Sequence, residues 1–220
     1  MASWLHSTPA LLGVSIGTRF TVSATTNVVG NLKEVILNNV NAAARTVRLY
    51  LVPVSGSIAD SNAIMKDVSI GADTYVRIPF DTYLEAGATL QALASAADSI
   101  MLRSSWIEFG PTPVPLMKPQ TPGLLQTSAN TYGTVTTGKE ADIREVILSN
   151  VTGTDRTATL HFVPNGGSVA DSNMILDAVT IAANTMVRFP FNTALEAGGT
   201  IRALASLNDA ISIRTSLIEY

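Results

Sequence analysis

The chain carries the same text twice. From Glu34 to Phe109 every residue aligns, without a gap, with the residue 111 positions later, ending at Tyr220. About 42 of the 76 aligned positions are identical, far above chance. EVILNNV at 34–40 faces EVILSNV at 145–151, GSIADSN at 56–62 faces GSVADSN at 167–173, and LEAGATLQALAS at 84–95 faces LEAGGTIRALAS at 195–206. The period is too long for a solenoid unit and matches a whole small domain. The fold must therefore be one that roughly 100 residues complete on their own and that a chain can build twice.

Within each copy the polarity alternates with period two. In Thr46–Val52, Val47, Leu49 and Leu51 fall on one face, with Arg48 and Tyr50 on the other, and Thr157–Val163 repeats the pattern with Ala158, Leu160 and Phe162 inward. Further strands are expected at Lys33–Val40, Thr74–Phe80, Thr89–Ser95 and Ser99–Phe109, separated by Gly, Asn, Asp and Ala turns. The LEAG segments place Gly87 and Gly198 where a tight corner needs a positive φ. Pro79 and Pro190 cannot donate to a ladder, so they should end their strands or lie on an edge. Asp60-Ser61-Asn62 and Asp171-Ser172-Asn173 predict one short capped turn in each copy. The pattern predicts an all-β protein: two tandem antiparallel β-sandwich domains, jelly-roll-like rather than immunoglobulin-like, created by internal duplication. The expected partition is an N-terminal arm at 1–17, a first sandwich at 18–109, a linker at 110–123 and a second sandwich at 124–220. The linker segment, GPTPVPLMKPQTPG, holds five of the ten prolines and reads as a semi-rigid spacer.

Composition narrows the function. Charged residues make up 14% of the chain, against roughly 25% in an average soluble protein, which suggests a surface that other chains cover. The net charge is -3, with no cluster of Lys or Arg beyond a pair, so nucleic acid is not an expected partner. No apolar run reaches the length of a membrane span, and the start lacks the basic region of a secretory signal, so synthesis in a cytoplasm is expected. With no cysteine there is no disulfide framework and no thiolate chemistry.

No set of residues predicts an enzyme, a cofactor or a metal. The only histidines are His6, in the expected arm, and His161, expected outward on a strand where the first copy has Tyr50. Glu34/Glu145, Glu85/Glu196 and Glu108/Glu219 recur in both copies. A glycosidase would need two carboxylates about 5–9 Å apart, and a structural role explains their duplication more simply. Asp60, Asn62 and Asp67, with Asp171, Asn173 and Asp177, lack the spacing of a calcium loop. Arg45/Arg156, Arg77/Arg188, Arg103/Arg214 and the pair Lys33/Arg144 also recur, and are expected to bridge to carboxylates of their own copy or of a partner. Trp4, Leu5, Leu11, Leu12, Trp106 and Tyr132 are the candidate interface residues, although Trp106 aligns with Leu217 and also suits a core. Tyr75, aligned with Met186, differs outwardly between the copies and suggests that they meet different neighbours.

The repeated block, with E-V-I-L-x-N-V, a V-P strand end, G-S-[IV]-A-D-S-N, L-E-A-G-x-T-[LI]-x-A-L-A-S and a closing R-x-S-x-I-E, resembles small β-sandwich modules of tailed-bacteriophage structural proteins. Such modules occur in capsid decoration (cement) proteins and in tail-associated proteins. The resemblance covers both copies and carries no catalytic residue. It implies a virion protein without enzymatic activity and leaves its place in the particle open; the sparse charge, the apolar N-terminal arm from Trp4 to Ile16 and the proline linker make a decoration protein on the capsid surface the leading expectation. Its partners would be the major capsid protein and copies of itself in a cyclic assembly such as a trimer. The alternative it leaves open is a fibre, collar or baseplate protein of the tail with host-surface glycan binding. A lectin or carbohydrate-active enzyme is a third class, disfavoured by the scarcity of aromatics.

Overall fold

The structure is a computed structural model that describes residues 2–110 and 116–220. The chain divides into two compact units. The first contains β1 (Ala2–His6), β2 (Ala10–Leu11), β3 (Gly17–Thr21), β4 (Val29–Asn39), β5 (Arg45–Val52), β6 (Ala63–Ile70), β7 (Tyr75–Glu85), β8 (Thr89–Ala94) and β9 (Ile100–Phe109). The second contains β10 (Leu116–Pro119), β11 (Gly123–Leu124), β12 (Asn130–Thr134), β13 (Ala141–Asn150), β14 (Arg156–Val163), β15 (Met174–Ile181), β16 (Met186–Leu195), β17 (Thr200–Ala205) and β18 (Ile211–Glu219).

Each unit is two antiparallel sheets. In the first unit one sheet runs β1-β9-β4-β7, with β2 continuing the β1 edge against β9, and the other runs β3-β8-β5-β6. The second unit repeats this as β10-β18-β13-β16, with β11 on β18, and β12-β17-β14-β15. Counting each interrupted edge as one strand, the last strand lies between the first and the third, and the seventh between the second and the fourth. This is the strand order of a jelly roll, so the expected fold class is the one observed.

Two boundaries differ from expectation. Residues 2–11 are not an arm but the edge of the first unit's sheet, with Trp4 opposite Ile107 and Leu11 opposite Met101. Likewise Leu116–Pro119 and Gly123–Leu124, expected inside the linker, form the matching edge against β18; residues 111–115 of that linker lie outside the described residues. The register pairs Leu12 with Leu125 and Val22 with Val135, 113 residues on, whereas Gly30 pairs with Ala141, 111 on. A two-residue difference in the loop before β4 and β13 therefore breaks a gapless comparison, and the duplication extends over the whole of both units. Pro79 and Pro190 sit within β7 and β16, which are edge strands, and each stands at a register shift in which its own strand carries one extra residue against Leu32–Glu34 or Ile143–Glu145.

Equivalent side chains fill both cores: Leu12 and Leu125, Val35 and Val146, Leu37 and Leu148, Leu49 and Leu160, and Leu102 and Ile213 are all buried. Burying each such side chain contributes about 1.5–3 kcal/mol. The aromatic packing has diverged. In the first unit Phe20 stacks on Trp106 with centroids 4.3 Å apart, where the second has Gly133 and Leu217. The second instead sets Phe162 edge-on to Phe191 at 5.2 Å.

One buried polar residue ties each sandwich together. Asn39 Nδ2 lies 2.9 Å from the Ala43 carbonyl, 3.0 Å from that of Ile70 and 2.8 Å from that of Gly71, while its Oδ1 accepts from the Asn41 N–H at 3.0 Å. Asn150 does the same with the Thr154 and Ile181 carbonyls at 2.8 and 2.9 Å and the Thr152 N–H at 2.9 Å. Each links the end of β4 or β13 to the facing sheet through a buried hydrogen bond to the carbonyl of Ile70 or Ile181. Asn39→Ala and Asn150→Ala should each destabilise their own unit by about 2 kcal/mol or more, read as a lower urea midpoint for that unit, and a cost below about 0.5 kcal/mol would contradict the role assigned here.

Candidate interaction surface

The residues singled out in the sequence separate into two groups. Leu12 is fully buried, and Trp106 stacks on Phe20 with only 7% exposure, so both belong to the core and not to an interface. Tyr132 is half-buried at the bulge in β12, its hydroxyl donating to the Leu124 carbonyl at 2.8 Å; burial raises its pKa above the ordinary tyrosine value. Leu5 is partly buried beside Trp106. Trp4 is 70% exposed and Leu11 45% exposed.

Register puts the exposed residues on one face. Residues directly opposite in an antiparallel ladder project to the same side, and Leu11, Met101, Asn38 and Tyr75 form a continuous row across β2, β9, β4 and β7. Tyr75, exposed at 70%, ends this row at the far edge. The next row on the same side is Arg103, Ile36 and Arg77. Trp4 stands on the same side, opposite Ile107. The outward face of the first unit's β1-β9-β4-β7 sheet is thus apolar at Trp4, Leu11, Met101, Ile36 and Tyr75, with Arg77 and Arg103 between. Exposed Val14 and Ile16 lie in the β2–β3 loop next to it. Sequence periodicity identified Tyr75 as outward, but only the register shows that it shares a face with Leu11.

The recurring carboxylates hold loops. Glu85 and Glu196 accept from the Val54 and Asn165 backbone N–H groups at 2.8 and 2.9 Å, fixing the loop after β5 or β14 to the LEAG corner, where Gly87 and Gly198 have φ of 80° and 78°. Glu108 accepts from the Ser23 N–H at 2.9 Å and the Trp106 indole at 3.1 Å. Glu219 accepts from the Thr136 N–H at 2.8 Å and from Lys118 at 2.9 Å. Burial pushes the Glu219 carboxyl up, but these hydrogen bonds outweigh it and hold its pKa below the ordinary carboxylate range. Glu34 pairs with Arg77 and Glu145 with Arg188, so of the recurring basic residues these two bridge to the expected glutamates. Lys33 bonds Asp81 at 2.6 Å, and its counterpart Arg144 donates to Asn192. Arg45 instead donates to Asn41 at 3.1 Å, and Arg103 is exposed on the face described above.

His161 and Tyr50 are buried, contrary to the outward assignment. The loop carrying the short turn before β15 folds back over the sheet, and Asn173 Oδ1 meets His161 Nδ1 at 3.2 Å. Of the acidic loop residues, Asp67 is held by Arg48 at 2.6 and 2.7 Å. Among the described residues no group of three or more His, Cys, Asp or Glu side chains stands close enough to hold a metal ion, and no helix is long and apolar enough to cross a membrane. The second unit has a depression of about 530 Å³ lined by Glu140, Phe162, Pro164, Ile175, Leu195 and Glu196, among others, without a basic or imidazole side chain.

No family model matches the sequence, and no curated protein does. Among solved structures, the chain is similar to the major capsid protein P2 from bacteriophage PM2, with 10% identity, coverage of 100% of this chain and 98% of that one, and a TM-score of 0.36. It is similar to the STIV MCP at 8% identity, with 99% and 97% coverage and a TM-score of 0.33. It is also similar to the PBSX exported protein XepA at 11% identity, with 99% and 86% coverage and a TM-score of 0.28. Likenesses this distant carry no functional weight.

Two outcomes follow from the placement of these side chains. Trp106→Ala should cost the first unit about 3–5 kcal/mol, whereas Trp4→Ala should change stability by no more than about 0.5 kcal/mol, both measured by chemical denaturation followed by circular dichroism. Because the Glu219 pKa is lowered on folding, its contribution is complete above the ordinary carboxylate range and is lost as pH falls through the depressed folded value. The stability gap between wild type and Glu219→Gln, followed by hydrogen exchange of second-unit amides, should therefore close on acidification; a gap independent of pH would contradict the assignment.

Proposed function

We propose that this chain is a non-enzymatic structural protein of a virus particle, and that it decorates and stabilises the capsid shell, held there by the major capsid protein and by copies of itself. The jelly roll is an architecture that viral capsid proteins share with lectins and cupins, and architecture alone does not choose among them. The observation that carries the choice is the outward face of the β1-β9-β4-β7 sheet, where Trp4, Leu11 and Tyr75 stand exposed in one weakly charged plane. Aromatic residues on such a face are the usual anchors of a protein interface, and the duplicated carboxylates are already committed to loops of their own unit or to Arg77 and Arg188. The low content of charged residues and the sequence resemblance to structural modules of tailed phages agree with a place in a virus particle. A tail position with glycan contact is the second reading, favoured by the depression beside Phe162, Glu140 and Glu196.

Cosedimentation of the purified chain with empty heads and, separately, with isolated tails tests both. Saturable binding to heads is expected, with Trp4→Ala and Tyr75→Ala each weakening it about tenfold or more. Binding to tails alone would move the protein to the second reading, and binding to neither would overturn both.

A further inference from the structure

Every sheet edge exposes backbone N–H and C=O groups to any passing strand, and folded proteins blunt their edges with proline, charge, bulges or brevity. Among the described residues the edges follow that rule in all but one place. On β7 and β16 the device is Pro79 or Pro190 together with an arginine. A bulge interrupts β3 at Arg19 and β12 at Tyr132. β6 carries Lys66 and Asp67, the latter at a φ of 55°, while β15 carries Asp177 followed by Ala178 at 41°. The edge pieces β2 and β11 are two residues long. β10 holds Lys118 and Pro119.

The exception is β1. Its sequence, Ala-Ser-Trp-Leu-His, contains no proline, no Lys, Arg, Asp or Glu, and its pairing with β9 is free of bulges. Four of its five residues are exposed, Trp4 at 70%. The Ser7 N–H donates to the Ser104 carbonyl at 2.9 Å, and antiparallel alternation then turns the N–H and C=O groups of His6, Trp4 and Ala2 away from β9. The duplication supplies a control. His6 stands opposite Ser105 and Pro119 opposite Ser216, the same position of the two units, so the second unit has a proline where the first presents an outward N–H. Leu5 likewise corresponds to Lys118. One copy has a closed edge and the other an open one.

We infer that β1 is a strand-pairing edge whose partner is β1 of a second copy of this chain, joined antiparallel about a two-fold axis at Trp4. In that register Trp4 meets Trp4, Ala2 meets His6 and Ser3 meets Leu5. All the outward backbone groups of the strand find partners, no like charges are opposed, and the two indole rings lie side by side on one face. An isologous contact of this kind closes on itself and makes a dimer, not a fibre. The inference rests on strand-edge chemistry and stands or falls independently of the virion reading.

Sedimentation velocity of the full chain over a wide concentration range tests it. Wild type should show a concentration-dependent dimer, and its Trp4 and His6 amides should exchange with solvent more slowly as the dimer fills. His6→Pro, which copies the second unit's own edge, should raise the dimer dissociation constant at least tenfold with an unchanged melting temperature. Trp4→Lys, which puts two like charges face to face across the axis, should do the same if the proline variant fails to fold. A wild type that stays monomeric at the highest concentration overturns the inference, as does a folded His6→Pro or Trp4→Lys variant that dimerises as well as wild type.

Discussion

Each unit depends on the insertion of its last strand. β9 lies between the β1–β2 edge and β4, and β18 lies between β10–β11 and β13. Leu102 and Trp106 on β9, with Ile213 and Leu217 on β18, supply the centre of each core. Without that strand the first edge has no partner and β4 or β13 keeps only one neighbour. The carboxylates Glu108 and Glu219, near the ends of these same strands, then reach the loops after β3 and β12. Loop geometry is thus referred back to the strand that closes the sandwich, through the glutamate that ends the final R-x-S-x-I-E of both copies.

Much of this could be read from the amino-acid order. Val47, Leu49 and Leu51 alternate because one face of β5 is core, and the LEAG corners turn where glycine was placed. The strands before Glu34 are not legible from the repeat for two reasons: it changes spacing by two residues, and Ser3-Trp4-Leu5-His6 shares nothing with Leu116-Met117-Lys118-Pro119. Strand β6 was hidden because the bulges around Met65 and Asp67 break its alternation. Local pattern places Tyr50 and His161 on the side of the strand opposite Leu49 and Leu160, but it carries no information about a loop that returns to cover that side and buries them.

The surface was less legible than the core for a related reason. Trp4 and Trp106 look alike in the sequence, yet Leu5, not Trp4, is the β1 residue directly opposite Trp106. One register step therefore sends the first tryptophan outward and the second onto Phe20. The recurrence of Asn39 and Asn150 in a block of the repeat with one difference in seven is visible, but the Ile70 and Ile181 carbonyls they serve come from the facing sheet, and only the folded chain brings them there.

Strand order also has a temporal side. The first and last strands of a unit are neighbours, so β1 must wait for a partner made about a hundred residues later. Closing a loop of that length costs entropy that grows only logarithmically with its size, but the reward arrives late, and topologies dominated by such pairings fold on the slow, millisecond-to-second scale. During synthesis from the N-terminus, β1 leaves the ribosome long before β9, and β10 long before β18. Neither sheet can be finished until its final ten residues have emerged.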